Sequence, residues 1–147
     1  MIPGFGHLVF GLAVVAGLLY ITRNKMNHKV LFIFFANNYL GPDAIRLYWT
    51  QFHSILGFVI GAIPLSLFYS YMSRFSLHKT EHFVDLVDDG KREVNWKNAF
   101  YATVAGGIMH FYVDFMFHGG HNMSLTRIPG IDLSLDDLNS LTSMMSA

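Results

Sequence analysis

His110, Asp114 and His118 recur every four residues in the stretch His110-Phe-Tyr-Val-Asp114-Phe-Met-Phe-His118. On a helix such spacing makes one slowly drifting row of side chains. Imidazole nitrogen and carboxylate oxygen are ligands that a divalent metal takes. The row closes an apolar segment long enough to cross a bilayer, where ionisable groups are costly and mark function. His7, Asp43 and His53 stand near the ends of other apolar segments, which brings the candidate ligands to six. A hydrolytic zinc site needs about three protein ligands and an open position for water, whose pKa the metal lowers toward neutrality. A spare carboxylate moves a proton or orients a ligand ring, a part that Asp43 or Asp114 can take. The chain has no cysteine, so thiolate sites and disulfides are excluded and His and carboxylate must hold any metal.

Taken singly, each residue has a plainer reading. His7 is a headgroup or water contact, and Asp43 after Pro42 is a turn or cap carboxylate. His53 hydrogen-bonds between helices, and His110 with Asp114 is a structural pair. His121, after Gly119-Gly120, is a loop residue. The argument for a metal comes from their common location, which the surrounding elements must supply.

Hydrophobic residues make up 52% of the 147-residue chain and charged ones 14%, with zero net charge, a balance too apolar for an ordinary soluble domain. No basic block points to nucleic acid. Four apolar segments stand out, at about 5–22, 28–41, 48–72 and 99–118. The second is short: its apolar run Val30 to Gly41 rises only about 18 Å at helical pitch. Gly57 and Gly61 form a GxxxG pair that lets another helix approach. The polar stretch from Ser73 to Asn98 has an amphipathic rhythm and is expected to form a short surface helix and a turn. The tail from Gly119 to Ala147 is expected to be a loop with one short helix at Ser134-Leu-Asp-Asp-Leu. The first apolar run lacks a basic leader and a convincing cleavage site, so it is expected to be retained. The fold expected is therefore all-α: one domain, a polytopic membrane bundle of four transmembrane helices with a short amphipathic cytoplasmic helix and a C-terminal tail.

Eight of the ten Lys and Arg lie in two loops: Arg23, Lys25, Lys29, Arg74, Lys79, Lys91, Arg92 and Lys97. The positive-inside rule makes both loops cytoplasmic and puts the termini and the tail outside a cell membrane. His7, Asp43, His53, His110, Asp114 and His118 then all fall at the outer level. His28, His78 and His82 fall on the inner side as ordinary loop residues.

The arrangement resembles the small polytopic proteins known as membrane-bound metal-dependent hydrolases, themselves distantly similar to the zinc-dependent phospholipase C fold. The matching pieces are Phe5-Gly-His7, Leu40-Gly-Pro-Asp43, Phe52-His53-Ser54-Ile-Leu-Gly57 and Gly106-Gly-Ile-Met-His110-Phe-Tyr-Val-Asp114-Phe-Met-Phe-His118-Gly-Gly, spread over residues 5 to 120. The resemblance implies a helical membrane protein in which His7, Asp43, His53, His110 and Asp114 bind a divalent metal, with His118 nearby. The chain departs from the pattern at Ile45, where many relatives carry a second acidic residue, and at Tyr48-Trp-Thr-Gln, where many carry His-Arg. The first departure speaks against a two-metal centre.

Two functions follow as expectations. One is an outward-facing hydrolase, with zinc the foremost metal, acting on a phosphodiester or other ester of a lipid headgroup. The other is a non-catalytic accessory subunit associated with other membrane protein subunits, such as those of a copper membrane monooxygenase of the ammonia or methane type. A proton or ion pathway ranks last, because the ionisable residues do not spread through the membrane depth.

Overall fold

The computed structural model describes residues 5–46, 53–81, 83–118, 124–128 and 131–134. Helix α1 (Phe5–Ile21) is followed by α2 (His28–Tyr39), the short α3 (Gly41–Arg46) and α4 (Ile55–Met72). Strands β1 (Phe75–Lys79) and β2 (Val84–Asp88) separate α4 from the long α5 (Trp96–His118), and β3 (Ser124–Ile128) with β4 (Ile131–Ser134) ends the described chain.

Local chemistry sets the helix boundaries. Arg23 and Asn24 take left-handed backbone angles just past α1, with φ of 52° and 59°, a usual way to end a helix. Asn27 caps α2: its side-chain oxygen accepts from the backbone N–H of Lys29 and Val30. Ser54 caps α4 through Gly57 N–H, and the Asn95 side chain accepts from Asn98 N–H in the first turn of α5. Pro42 lies in the first turn of α3, where a missing N–H costs nothing.

Three of the sequence expectations need correction. Segment two ends at Tyr39, and α3 is a separate helix carrying Asp43. The polar stretch forms an antiparallel hairpin, not a surface helix, with Leu77 opposite Leu86 and Lys79 opposite Val84. Its sequence Val84-Asp-Leu-Val-Asp88 is rich in branched residues and places Val84 and Leu86 on one face at a period of two, which suits a strand. Residues 124–128 and 131–134 pair as antiparallel strands in the stretch expected to be a loop, with Ile128 opposite Ile131. Ser134 ends β4, and the rest of the expected tail helix lies outside the described residues. Among the described residues, α4 alone is long and apolar enough to cross a membrane by itself, with a mean hydropathy of 1.8 over 18 residues. Helix α1 is apolar but has 17 residues, and α2 has only 12. Helix α5 has the length, 23 residues, but its polar start Trp96-Lys-Asn and its His110 and Asp114 dilute the apolar content.

Helix α5 is the centre of the bundle, with α2 on one side and α4 on another. Gly106 and Gly107 permit this. A Cβ at Gly106 would meet the carbonyl oxygen of Phe34 and lie 2.9 Å from Asn37 Cβ, whereas one at Gly107 would run into the Phe58 ring. Phe58 and Phe111 are both fully buried and meet edge to face at 6.2 Å between centroids. Farther from this contact, Ile33, Phe34, Val94, Ala99 and Ala102 form a second apolar cluster.

Lys29 joins the hairpin to the helices. Its ammonium donates to Ser73 O (2.9 Å), Phe75 O (3.1 Å), Ser76 Oγ (3.0 Å) and Glu93 Oε1 (2.7 Å). Lys29→Met keeps the apolar stem and leaves these acceptors without a cation. It is expected to cost about 1–3 kcal/mol. Thermal unfolding in detergent should show the loss, with the hairpin amides exchanging hydrogen faster while those in the middle of α5 stay protected.

Candidate metal centre

The site is assembled from residues placed by four helices and a cap. His7 lies in the first turn of α1. Its carbonyl oxygen accepts from Asn38 Nδ2 at 2.9 Å, which ties α1 to α2. One turn further on, a Cβ at Gly11 would strike that same Asn38 amide, so the close approach requires glycine there. His110 lies on α5 and is fully buried. Its Nδ1 sits 2.9 Å from the carbonyl oxygen of Asn38, one of the last carbonyls of α2 and so without an intrahelical partner. A carbonyl only accepts, so Nδ1 carries a proton, and in the neutral ring Nε2 keeps a free lone pair. Asp114 follows one turn later. His53 immediately precedes the Ser54 cap of α4, and Asp43 stands in the first turn of α3.

The Nε2 atoms of the three histidines converge on the two carboxylates. His7 Nε2 is 3.1 Å from Asp114 Oδ1, and His110 Nε2 is 3.4 Å from Asp114 Oδ2. His53 Nε2 is 3.2 Å from Asp43 Oδ1 and 3.9 Å from Asp114 Oδ2, whereas His110 Nε2 is 3.7 Å from Asp43 Oδ2. The rings of His7 and His110 stack at 4.1 Å with an interplanar angle of 12°.

His53 Nε2 and His110 Nε2 are buried yet make no hydrogen bond among the described residues, despite carboxylate oxygens at these short distances. A neutral imidazole and a carboxylate that bond directly align N–H with oxygen. Neutral imidazole nitrogens that lie this close to carboxylates without such a bond keep their lone pairs available to a cation. Ligands about 2.0–2.1 Å from one tetrahedral ion lie roughly 3.3–3.4 Å from each other, close to the separations found here. Buried unpaired polar atoms are costly, and a cation would satisfy both. The donor set therefore fits a divalent ion.

Two groups are compact enough to hold an ion: His7, His110 and Asp114, and Asp43, His53 and His110. They share His110, whose single free lone pair serves one ion only. A single ion is the simplest occupant, because a second one would need a bridging carboxylate to reach three ligands.

The five groups differ in exposure. The side chains of His7, His53, His110 and Asp114 are 0–13% exposed, whereas Asp43 is 51% exposed. The cluster therefore opens on the Asp43 side. The His53 imidazole beside Asp43 holds its carboxyl below the usual carboxylate range, against the opposing effect of partial burial.

Five of the six residues singled out from sequence thus come together. His118 is the last residue of α5, and its side chain lies outside what is described, as do His121 and His82 entirely. His28 contacts Asn24 and His78 lies near Asp89, both in exposed positions apart from the cluster. Asn38 was missed. Its signal was an Asn37-Asn38 pair inside the apolar run Val30 to Gly41, where two buried amides need a purpose.

Fold and site together define a mostly helical chain with a three-histidine, two-aspartate cluster, buried except at Asp43, that is able to hold a metal ion. No family model, no curated protein and no solved structure matches it.

Proposed function

We propose that the chain is a multi-pass integral membrane protein that binds one divalent metal ion, zinc foremost, and hydrolyses an ester such as that of a lipid headgroup. The observation that carries the reading is the convergence of His53 Nε2 and His110 Nε2 on two carboxylates without hydrogen-bond alignment. When bound, such an ion supplies a Lewis acid and lowers the pKa of a coordinated water. His7, His53, His110 and Asp114 hold it. Asp43 faces the open side, where a substrate oxygen would arrive, and is placed to accept or return a proton there.

The membrane reading rests on α4 and on large apolar side chains left exposed on the other helices, among them Val9, Leu12, Phe32, Tyr101 and Phe117. The charge distribution then favours basic loops inside and the metal site outside.

The test is metal analysis of the chain purified in detergent, followed by titration of the stripped protein with zinc and assay on phosphodiester and carboxylester headgroup analogues. One equivalent of tightly held ion and ester turnover that is lost on stripping are expected. A chain that takes up no divalent ion, or that purifies metal-free in fixed ratio with larger membrane subunits, overturns the proposal in favour of an accessory role.

A further inference from the structure

The β1–β2 hairpin is the largest feature that the metal site does not use, and its two faces differ. Cross-strand pairing puts Phe75, Leu77 and Lys79 on one face with Val84, Leu86 and, at the base, Asp88, and puts Ser76 and His78 on the other with Asp85 and Val87. Leu77 is 73% exposed and Leu86 61%, and Phe83 beside the turn is 80% exposed. An isolated two-stranded hairpin is marginal in water, and large apolar side chains on one face of it mark a contact surface.

Its position says what covers that face. Helix α4 begins beside the metal cluster and ends at Met72. Eighteen residues rise about 27 Å, so Met72 lies at the opposite end of a helix long and apolar enough to span. The hairpin begins three residues later, at Phe75, and is therefore held at the level where a spanning helix leaves the hydrocarbon. Phe75 and Leu77 also line a groove of about 410 Å³ together with Phe32, Ile33 and Met72. Tyr69, Lys29, Ser73 and Ser76 complete its lining, so the exposed apolar surface of α2 and α4 reaches the hairpin alongside the Lys29 hydrogen bonds. Lys79 lies on the same face toward the tip, where its stem can follow the apolar surface and its ammonium can reach lipid phosphate. Arg74 braces the base through Asp88 (2.6 Å) and lies over the Tyr71 ring at 5.5 Å.

We propose that the Leu77/Leu86 face of this hairpin lies on the phospholipid surface at the end of the bundle opposite the metal cluster, as an interfacial anchor for the α4–α5 connection. The inference rests on membrane insertion but not on the metal or the chemistry.

The chain has no cysteine, so single-cysteine variants can each carry one environment-sensitive fluorophore. Leu77→Cys and Leu86→Cys report the apolar face, His78→Cys and Asp85→Cys the polar face, and Ile63→Cys in α4 reports insertion. The full chain is placed in liposomes of phosphatidylcholine and phosphatidylglycerol and quenched with aqueous iodide. Labels at 77 and 86 should be quenched at least about threefold less than those at 78 and 85, the alternation expected of a strand lying on an interface. Equal quenching at all four positions overturns the proposal. So does shielding of 77 and 86 that appears in native membranes but not in the liposomes, which would assign the face to a protein partner. A label at 63 that is quenched freely would overturn insertion itself and the anchor with it.

Discussion

Asp114→Ala is expected to lower metal affinity by more than about a hundredfold while leaving helical content unchanged. Losing a supporting partner of a ligand already costs roughly 10–100-fold, and Asp114 is central to the cluster itself. Its two oxygens reach His7 at 3.1 Å, His110 at 3.4 Å and His53 at 3.9 Å. It is also the better buried of the two anions, at 13% side-chain exposure against 51% for Asp43. A divalent ion in a poorly solvated site needs neutralising charge, and three imidazoles supply none. Asp114→Asn keeps the shape and can still accept a hydrogen bond, but loses the charge, so it should fail nearly as badly. Asp43→Asn removes the exposed anion, which water can partly replace, and should cost closer to tenfold, about 1.4 kcal/mol. Isothermal titration with zinc, alongside circular dichroism, separates these outcomes. Equal affinities for the three variants and the parent would remove Asp114 from the ligand set.

Gly106→Ala should produce the largest loss of stability from a single methyl group. The added carbon meets the Phe34 carbonyl oxygen and lies 3.1 Å from the Asn38 nitrogen, both part of a backbone that cannot swing aside. Overpacking costs about 1–3 kcal/mol where neighbours can adjust, and this contact should reach or exceed the upper value. The damage would extend beyond stability. Forcing α2 from α5 stretches the bond from His110 Nδ1 to Asn38 O, so metal affinity should fall together with the unfolding midpoint. Gly107→Ala pushes instead on the Phe58 ring, which is held by Phe111, and should lower stability with less effect on the metal. Gly17 is the control: a Cβ there meets nothing within 4 Å. Gly17→Ala should therefore stabilise α1 by a few tenths to about 1 kcal/mol. Thermal melts of the three variants with and without zinc test the ordering.

The cluster was legible in the sequence because its residues are rare in their surroundings. A histidine or aspartate at the end of an apolar run stands out, and the i, i+4 spacing of His110 and Asp114 gives them a shared face. Helices α1, α2 and α5 were legible for the same reason, as long apolar runs with polar ends. The hairpin was misread because His82-Phe-Val-Asp-Leu-Val-Asp-Asp supports both a helical and an alternating pattern over so few residues, and pairing with β1 decides between them. The break between α2 and α3 was hidden because Leu40 and Gly41 continue the apolar run, although Pro42 marks the new start. Asn38 was not legible as a supporting group because half of its role belongs to its backbone carbonyl, which is the same for every residue type. That carbonyl matters only because Gly106 brings α5 close enough for His110 to reach it.

Asp43, on the six-residue α3 packed against α5, is the exposed edge of the cluster among the described residues. If an ion is held there, chelators should strip it no faster than this rim yields, and bulky ones should lag behind small ones of equal strength. How full the site is in a purified sample would then reflect the history of its preparation as well as its affinity.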